Sequence, residues 1–218
     1  MNPSARLKAV ILQPINMSTS PHRYFIINKP YNMVSQFISS HDVRLLGDLD
    51  FEFPEGTHAI GRLDNHSEGL LILTTNKKVT RLLFDPKKKH ERSYLIMVKN
   101  IVTPELLEQL RTGVSIPVTT GEDYIAVPTS IEIVENVKDH YAHMDDFRQQ
   151  YPHTWMLMTL TEGKFHQVRK MCLAIHRRCL RLIRISIGNL KLGDLKPGEV
   201  KEMNEQEFFE LIGIEYRA

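Results

Sequence analysis

Gly61-Arg62-Leu63-Asp64-Asn65-His66-Ser67-Glu68-Gly69-Leu70-Leu71-Ile72-Leu73-Thr74 sets a polar turn between two apolar segments. His58-Ala59-Ile60 leads into it as a short strand, and Gly69–Thr74 leads out as a buried one. The turn presents one cation, two carboxylates, an imidazole and a hydroxyl. A carboxylate beside an arginine stays ionised at neutral pH, because the opposite charge favours the charged form. An ionised Asp held in a cleft acts as a nucleophile or a base. The same Asp64 could equally close a turn and pair with Arg62, so the turn alone leaves both readings open.

Working outward, residues 1–22 are polar and irregular, with Pro3, Pro14 and Pro21, and read as a flexible leader to a domain spanning 23–218. Arg23–Asn28 reads as a strand stopped by Lys29-Pro30, and Met33–Ile38 as a second short strand. A helical turn is expected at Val43–Leu49, and Asn76 is placed to cap a helix running to Phe84. Ser93–Lys99 is a strand by its β-favouring residues. Thr103-Pro104-Glu105 starts a helix that Gly113 stops. Ile131–Val134 and Trp155–Thr161 are further strands, with the polar, His-rich stretch 136–153 between them as a surface loop or insertion. Phe165–Ile175 repeats apolar residues on one helical face. Leu180–Ile187 is a strand with a basic edge, and Asn204 caps a final helix ended by Gly213. Strands in succession, joined by short loops with a few helices, predict an α+β fold in two closely packed halves with a mostly antiparallel sheet.

Composition narrows the function. The 42% hydrophobic content of 218 residues suffices for a sizeable core, while no apolar run is long enough to span a bilayer. Cys172 and Cys179 form no CxxC pair, which argues against a disulfide framework or zinc site and fits a reducing cytosol. His140, His143, His153, His166 and His176 match no compact zinc spacing, so no metal is expected. The net charge of +2 is unevenly spread: residues 76–99 and 162–184 each carry +6, leaving −10 for the rest. Two basic blocks in an acidic chain predict a polyanion-binding face if the fold brings them together.

The whole string Gly61–Asn76 resembles the catalytic-aspartate motif of the RNA pseudouridine synthases, in the class that holds synthase A of the small ribosomal subunit together with its large-subunit relatives. Three further segments match in order. Asn28-Lys29-Pro30 resembles the motif after the first core strand. Arg92-Ser93-Tyr94-Leu95-Ile96-Met97-Val98 resembles the strand whose tyrosine stacks on the target base. Glu162-Gly163-Lys164-Phe165-His166-Gln167-Val168-Arg169-Lys170-Met171 resembles the motif whose inner arginine pairs with the catalytic aspartate, and Leu180–Gly188 the strand that follows. The resemblance covers about residues 23–203 and implies a sheet flanked by helices around a central cleft. It implies Asp64 as nucleophile, Tyr94 as the stacking residue and Arg169 as the partner that keeps Asp64 ionised. Leu182 would exclude water, and Arg62 would fill the vacated base stack or hold the backbone. Lys29, Lys164, His166 and Arg184 are expected on the RNA. The target must be extruded from RNA structure to react. The rearrangement involves no redox change, so no cofactor is implied.

Most members of that class begin with a small RNA-binding domain related to ribosomal protein S4, for which the 22 residues before the first strand leave no room. This layout resembles the synthase E branch of the class, and implies a cytoplasmic monomer acting on ribosomal RNA of the large subunit. Two other readings stay open: a ribosome-assembly factor that binds RNA without catalysis, and a synthase acting on tRNA.

Overall fold

Six consecutive buried residues, Tyr24–Lys29, form β1. A strand covered on both faces reads as a continuous apolar run, and β3 below has the same form. The computed structural model describes residues 21–85, 87–118, 121–144 and 151–216. After β1 come β2 (His58–Ile60), β3 (Glu68–Thr74), α1 (Lys78–Leu83), β4 (Arg92–Lys99) and α2 (Pro104–Thr112). A hairpin of β5 (Val114–Pro117) and β6 (Asp123–Ala126) follows, then β7 (Ser130–Ile133) and β8 (His153–Leu160). The chain ends with α3 (Gln167–Ala174), β9 (Cys179–Ile187), β10 (Leu190–Lys191), β11 (Val200–Met203) and α4 (Glu205–Leu211).

The main sheet has the order β11-β1-β3-β9-β4-β8-β7, with β2 on β3 and β10 on β9. Every pairing in it is antiparallel except one. β3 meets β9 in parallel through Glu68↔Ile183 and Gly69↔Arg184 alone, because β2 occupies the rest of that edge from Ile72 to Thr74. The expected α+β fold with a mostly antiparallel sheet is therefore present, and a two-residue seam joins its parts. Gly69 sits in that seam at φ +96°, and a Cβ there would lie 2.3 Å from the Arg184 carbonyl oxygen. Only glycine permits this approach. Beside it Arg181 grips Glu68 with Nε and Nη2 at 2.7 and 2.8 Å, both side chains being nearly buried.

Apolar packing divides around the sheet. Leu95, Met97 and Ile183 pack with Tyr24, Phe208 and Phe209. Tyr94, Ile96 and Leu182 pack with Val168, Met171 and Cys172 of α3 and Leu107 and Leu110 of α2. Phe25, Ile27, Leu71 and Leu73 pack under Met33, Leu46 and Leu63. The turn before β3 thus rides on a core of its own.

The helix signals hold. Asn76 Oδ1 accepts from the Lys78 N–H at 3.0 Å, Pro104 opens α2 behind the Thr103 cap, and the Asn204 side chain accepts from Gln206. The turn expected at Val43–Leu49 is a 3-10 helix over Leu46–Asp48. α3 begins two residues later than expected, since His166 has φ +55° and lies outside the helix. Met33–Ile38 is not a strand. Its alternating Met33 and Phe37 pack into the core under the turn, and its ladder bonds are limited to two with the 44–46 segment, Val34 N–H to Arg44 O and Leu46 N–H to Gln36 O. The β5–β6 hairpin, β10 and β11 are elements beyond those read from the sequence. The stretch 136–153 is more than a surface loop: Tyr141 is 1% exposed and accepts a hydrogen bond from Asn28 at 3.1 Å. Its residues 145–150 and the leader 1–20 lie outside the described residues. No helix among the described residues is long and apolar enough to cross a membrane.

Candidate active site

The turn holding Asp64 is tied down bond by bond. Gly61 enters it at φ +69°. The buried Ser35 hydroxyl donates to the Leu63 carbonyl and accepts from the Leu63 N–H, both at 2.9 Å. The Ser67 N–H closes on the Asp64 carbonyl at 3.0 Å, and the Met33 N–H reaches Asn65 O at 3.3 Å. The result leaves the Asp64 side chain 38% exposed.

Lys29, expected on RNA, is instead fully buried. Its ammonium donates to the carbonyls of Met33 (2.6 Å), Pro30 (2.9 Å) and Asn65 (3.5 Å). With its donors used inside the protein it cannot reach a phosphate, and it braces the turn from below. Burial pushes its pKa down to about 8, partly offset by the carboxylates of Glu68 and Asp64.

A cleft of about 780 Å³ opens over the turn, within the usual range for ligand sites. It brings together Asp64, Arg62, Tyr94, Lys164, His166, Arg169, Leu182 and Arg184, that is, every expected site residue except Lys29. Three elements converge there: the turn before β3, Tyr94 on β4 paired with Arg184 on β9, and the loop leading into α3. Tyr94 and Leu182 are nearly closed off at 8% and 5% exposure. Arg62 and Lys164 stand exposed on the walls, with Lys164 Nζ 4.7 Å from the Tyr124 ring centre.

The Arg169–Asp64 ion pair implied by the resemblance is replaced by a different contact. Arg169 Nη2 donates to the His66 carbonyl at 2.7 Å and lies 3.3 Å from Ser67 Oγ. It therefore holds the backbone that carries Asp64, while the Asp64 carboxylate faces His166 Nε2 at 3.5 Å. His166 reaches this point because its backbone is left-handed, a strained state for a residue with a Cβ. Gln167, 3% exposed, locks the loop by accepting from the Lys164 N–H (2.8 Å) and donating to Glu162 (2.7 Å). Ser35 and Gln167 are contributors that sequence reasoning did not single out for a role. Ser35 lies in a segment with no motif, whereas Gln167 lay in plain view within the Glu162–Met171 segment. Among the described residues no three His, Cys, Asp or Glu side chains gather as they would around a metal ion.

A family model described as RNA pseudouridylate synthase matches residues 23–174. The chain is 35% identical over 190 residues to ribosomal large subunit pseudouridine synthase E of Vibrio vulnificus, covering 87% of this chain and 78% of that one. It is 27% identical over 191 residues to ribosomal small subunit pseudouridine synthase A of Escherichia coli, covering 87% and 74%. A crystal structure of a pseudouridylate synthase superposes with a TM-score of 0.70 at 26% identity, covering 88% of this chain and 74% of that one. The chain belongs to the RNA pseudouridylate synthase family and is an isomerase. Within the family, its relatives include ribosomal large subunit pseudouridine synthases of the E type at 32–35% identity.

Proposed function

We propose that this enzyme converts one or a few uridines of large-subunit ribosomal RNA to pseudouridine, with Asp64 as nucleophile. One observation carries the reading: in a single cleft the Asp64 carboxylate is open while Tyr94 and Leu182 are nearly sealed, an arrangement for a charged attacker beside a dry slot for a base. The uridine is flipped out of its stack, a cost repaid by stacking on Tyr94. Leu182 keeps water from the reacting atoms. Asp64 adds to the nucleotide, the bond from C1′ to N1 breaks, the uracil turns, C5 bonds to C1′, and the bond to Asp64 breaks to release the free carboxylate. C5 loses its proton and N1 gains one, so atoms balance and no cofactor enters. Arg169 and Lys29 hold the backbone of the turn, and Arg62, Lys164, His166 and Arg184 contact RNA. On this reading the enzyme works as a cytosolic monomer, and both cysteines are free thiols.

Pseudouridine mapping of total RNA from a strain with the gene and one without it tests the substrate. The expected difference is confined to large-subunit rRNA; a difference confined to tRNA, or none, overturns it. Asp64→Asn should fold normally and lower the isomerisation rate by about 10³-fold or more. Retained activity would remove Asp64 from the nucleophile role.

A further inference from the structure

One end of the cleft is more basic than the isomerisation needs. Arg184, Arg92 and His90 line it and are 4%, 8% and 8% exposed. Arg184 Nε donates to the Leu70 carbonyl at 2.8 Å. Its Nη2 is buried with no hydrogen-bond partner, and so is His90 Nε2. Arg92 makes one long contact, Nη1 to Thr161 O at 3.5 Å, and rests 5.4 Å from the Phe84 ring centre. Burial holds the Arg92 pKa below the usual arginine value, and the like charge of Arg184 lowers it further.

No carboxylate forms an ion pair with either guanidinium among the described residues. Glu68 is committed to Arg181. Asp85, which lines the same end, accepts the Lys87 N–H at 2.9 Å. Two buried cations without a counter-charge are costly unless something negative joins them. Lys88 and Lys89, exposed on the rim, extend the basic track outward.

We propose that this end of the cleft binds a phosphodiester flanking the flipped uridine, with Arg184 Nη2 and Arg92 as donors. A guanidinium fork matches phosphate geometry, and a charge-assisted bond in a sheltered site is strong. The inference rests on the isomerase reading and adds to it a handle that grips the nucleotide by its backbone. Phosphate contacts set register without reading sequence, so this site would place any flipped nucleotide and leave discrimination of uracil to the slot beside Tyr94.

Two measurements test it. In wild-type protein the arginine side-chain Nε–H NMR signals of Arg92 and Arg184 are followed at constant ionic strength during titration with uridine, 5′-UMP, 3′-UMP and inorganic phosphate. Saturable shifts with one or both monophosphates and none with uridine are expected, and the stronger arm says which flanking phosphate is held. Shifts with inorganic phosphate alone would mark an anion site outside the nucleotide path and overturn the proposal. Equal shifts with uridine would mean that the arginines meet the base, and no shift would mean that they hold water only; either overturns it. This arm needs no turnover. In the second, an RNA bearing the mapped uridine carries a neutral methylphosphonate at the flanking phosphate. Its isomerisation by wild type should slow at least about tenfold, and Arg92→Gln should be slow on native RNA and indifferent to the methylphosphonate. Equal rates on both RNAs with wild type overturn the phosphate and leave the isomerase standing. Native RNA left unmodified by wild type sinks the isomerase reading, whatever the NMR arm finds.

Discussion

The two walls that meet at Asp64 are built differently. On the Asp64 side four successive carbonyls, Leu63 to His66, each accept a hydrogen bond, from Ser35, Ser67, Met33 with Lys29, and Arg169. On the α3 side the loop Glu162–His166 has two backbone bonds, Gln167 N–H to Lys164 O and Lys170 N–H to His166 O, and is otherwise held by side chains, through Gln167 and through Tyr124 to Glu162 at 2.5 Å. It also carries a 65% exposed phenylalanine, Phe165, and the strained His166. A wall pinned at each successive carbonyl opens only with a large part of the fold, whereas one with fewer such bonds opens more locally. Asp64 thus sits on the fixed wall, and the α3 side is the wall that can yield.

Substitutions can break or sharpen this contrast. The largest effect is expected at Gly69→Ala, where the new Cβ would collide with the Arg184 backbone at 2.3 Å. Stability should fall by about 4 kcal/mol, read as a Tm about 10 °C lower; a Tm near wild type would show that the seam does not anchor the fixed wall. Ser35→Ala strips Leu63 of both partners, for a loss of about 2 kcal/mol. Its isomerisation rate should drop while RNA affinity stays put, and a loss confined to affinity would contradict the pinning role.

Lys29 adds a pH signature. Its folded pKa, about 8, lies below the unfolded value. Below pH 8 both states carry the proton and the folded state bears the burial cost. As pH rises from about 8 toward the unfolded pKa, the unfolded chain binds more protons and stability rises. Wild type should therefore gain on Lys29→Met between pH 7.5 and 9.5 in urea melts. A flat difference would mean that the ammonium is not desolvated. The smallest effect belongs to the yielding wall: His166→Gly should relieve about 1 kcal/mol of backbone strain and raise Tm by about 3 °C. A lower Tm would mean that the contacts of His166 with Asp64 and Phe165 outweigh the strain.

Much of this architecture was legible because local signals and tertiary demands agreed. Continuous apolar runs gave β1 and β3, and Asn76, Thr103 and Asn204 marked helix starts by their capping chemistry. β11 hid because Lys201 and Glu202 are exposed on an edge strand, with little apolar signal to betray them. The β5–β6 hairpin hid for a similar reason: its residues alternate between exposed and buried over only four positions each. Met33–Ile38 misled by the opposite route, offering strand-like alternation whose apolar side chains fill the core under a loop. For the site, composition and motif order identified the residues that share the cleft. They could not give depth. Lys29 looked like a phosphate ligand until its burial was visible, and Arg169 looked like a partner of the Asp64 carboxylate until its hydrogen bond to the His66 carbonyl was.

Lys29 also makes the fixed wall readable by chemistry. An acylating reagent modifies a lysine only while its amine meets solvent. In the folded protein no reagent can touch it, since it is 0% exposed. Its labelling rate would then count the openings of the turn that carries Asp64, with every surface lysine as an internal clock.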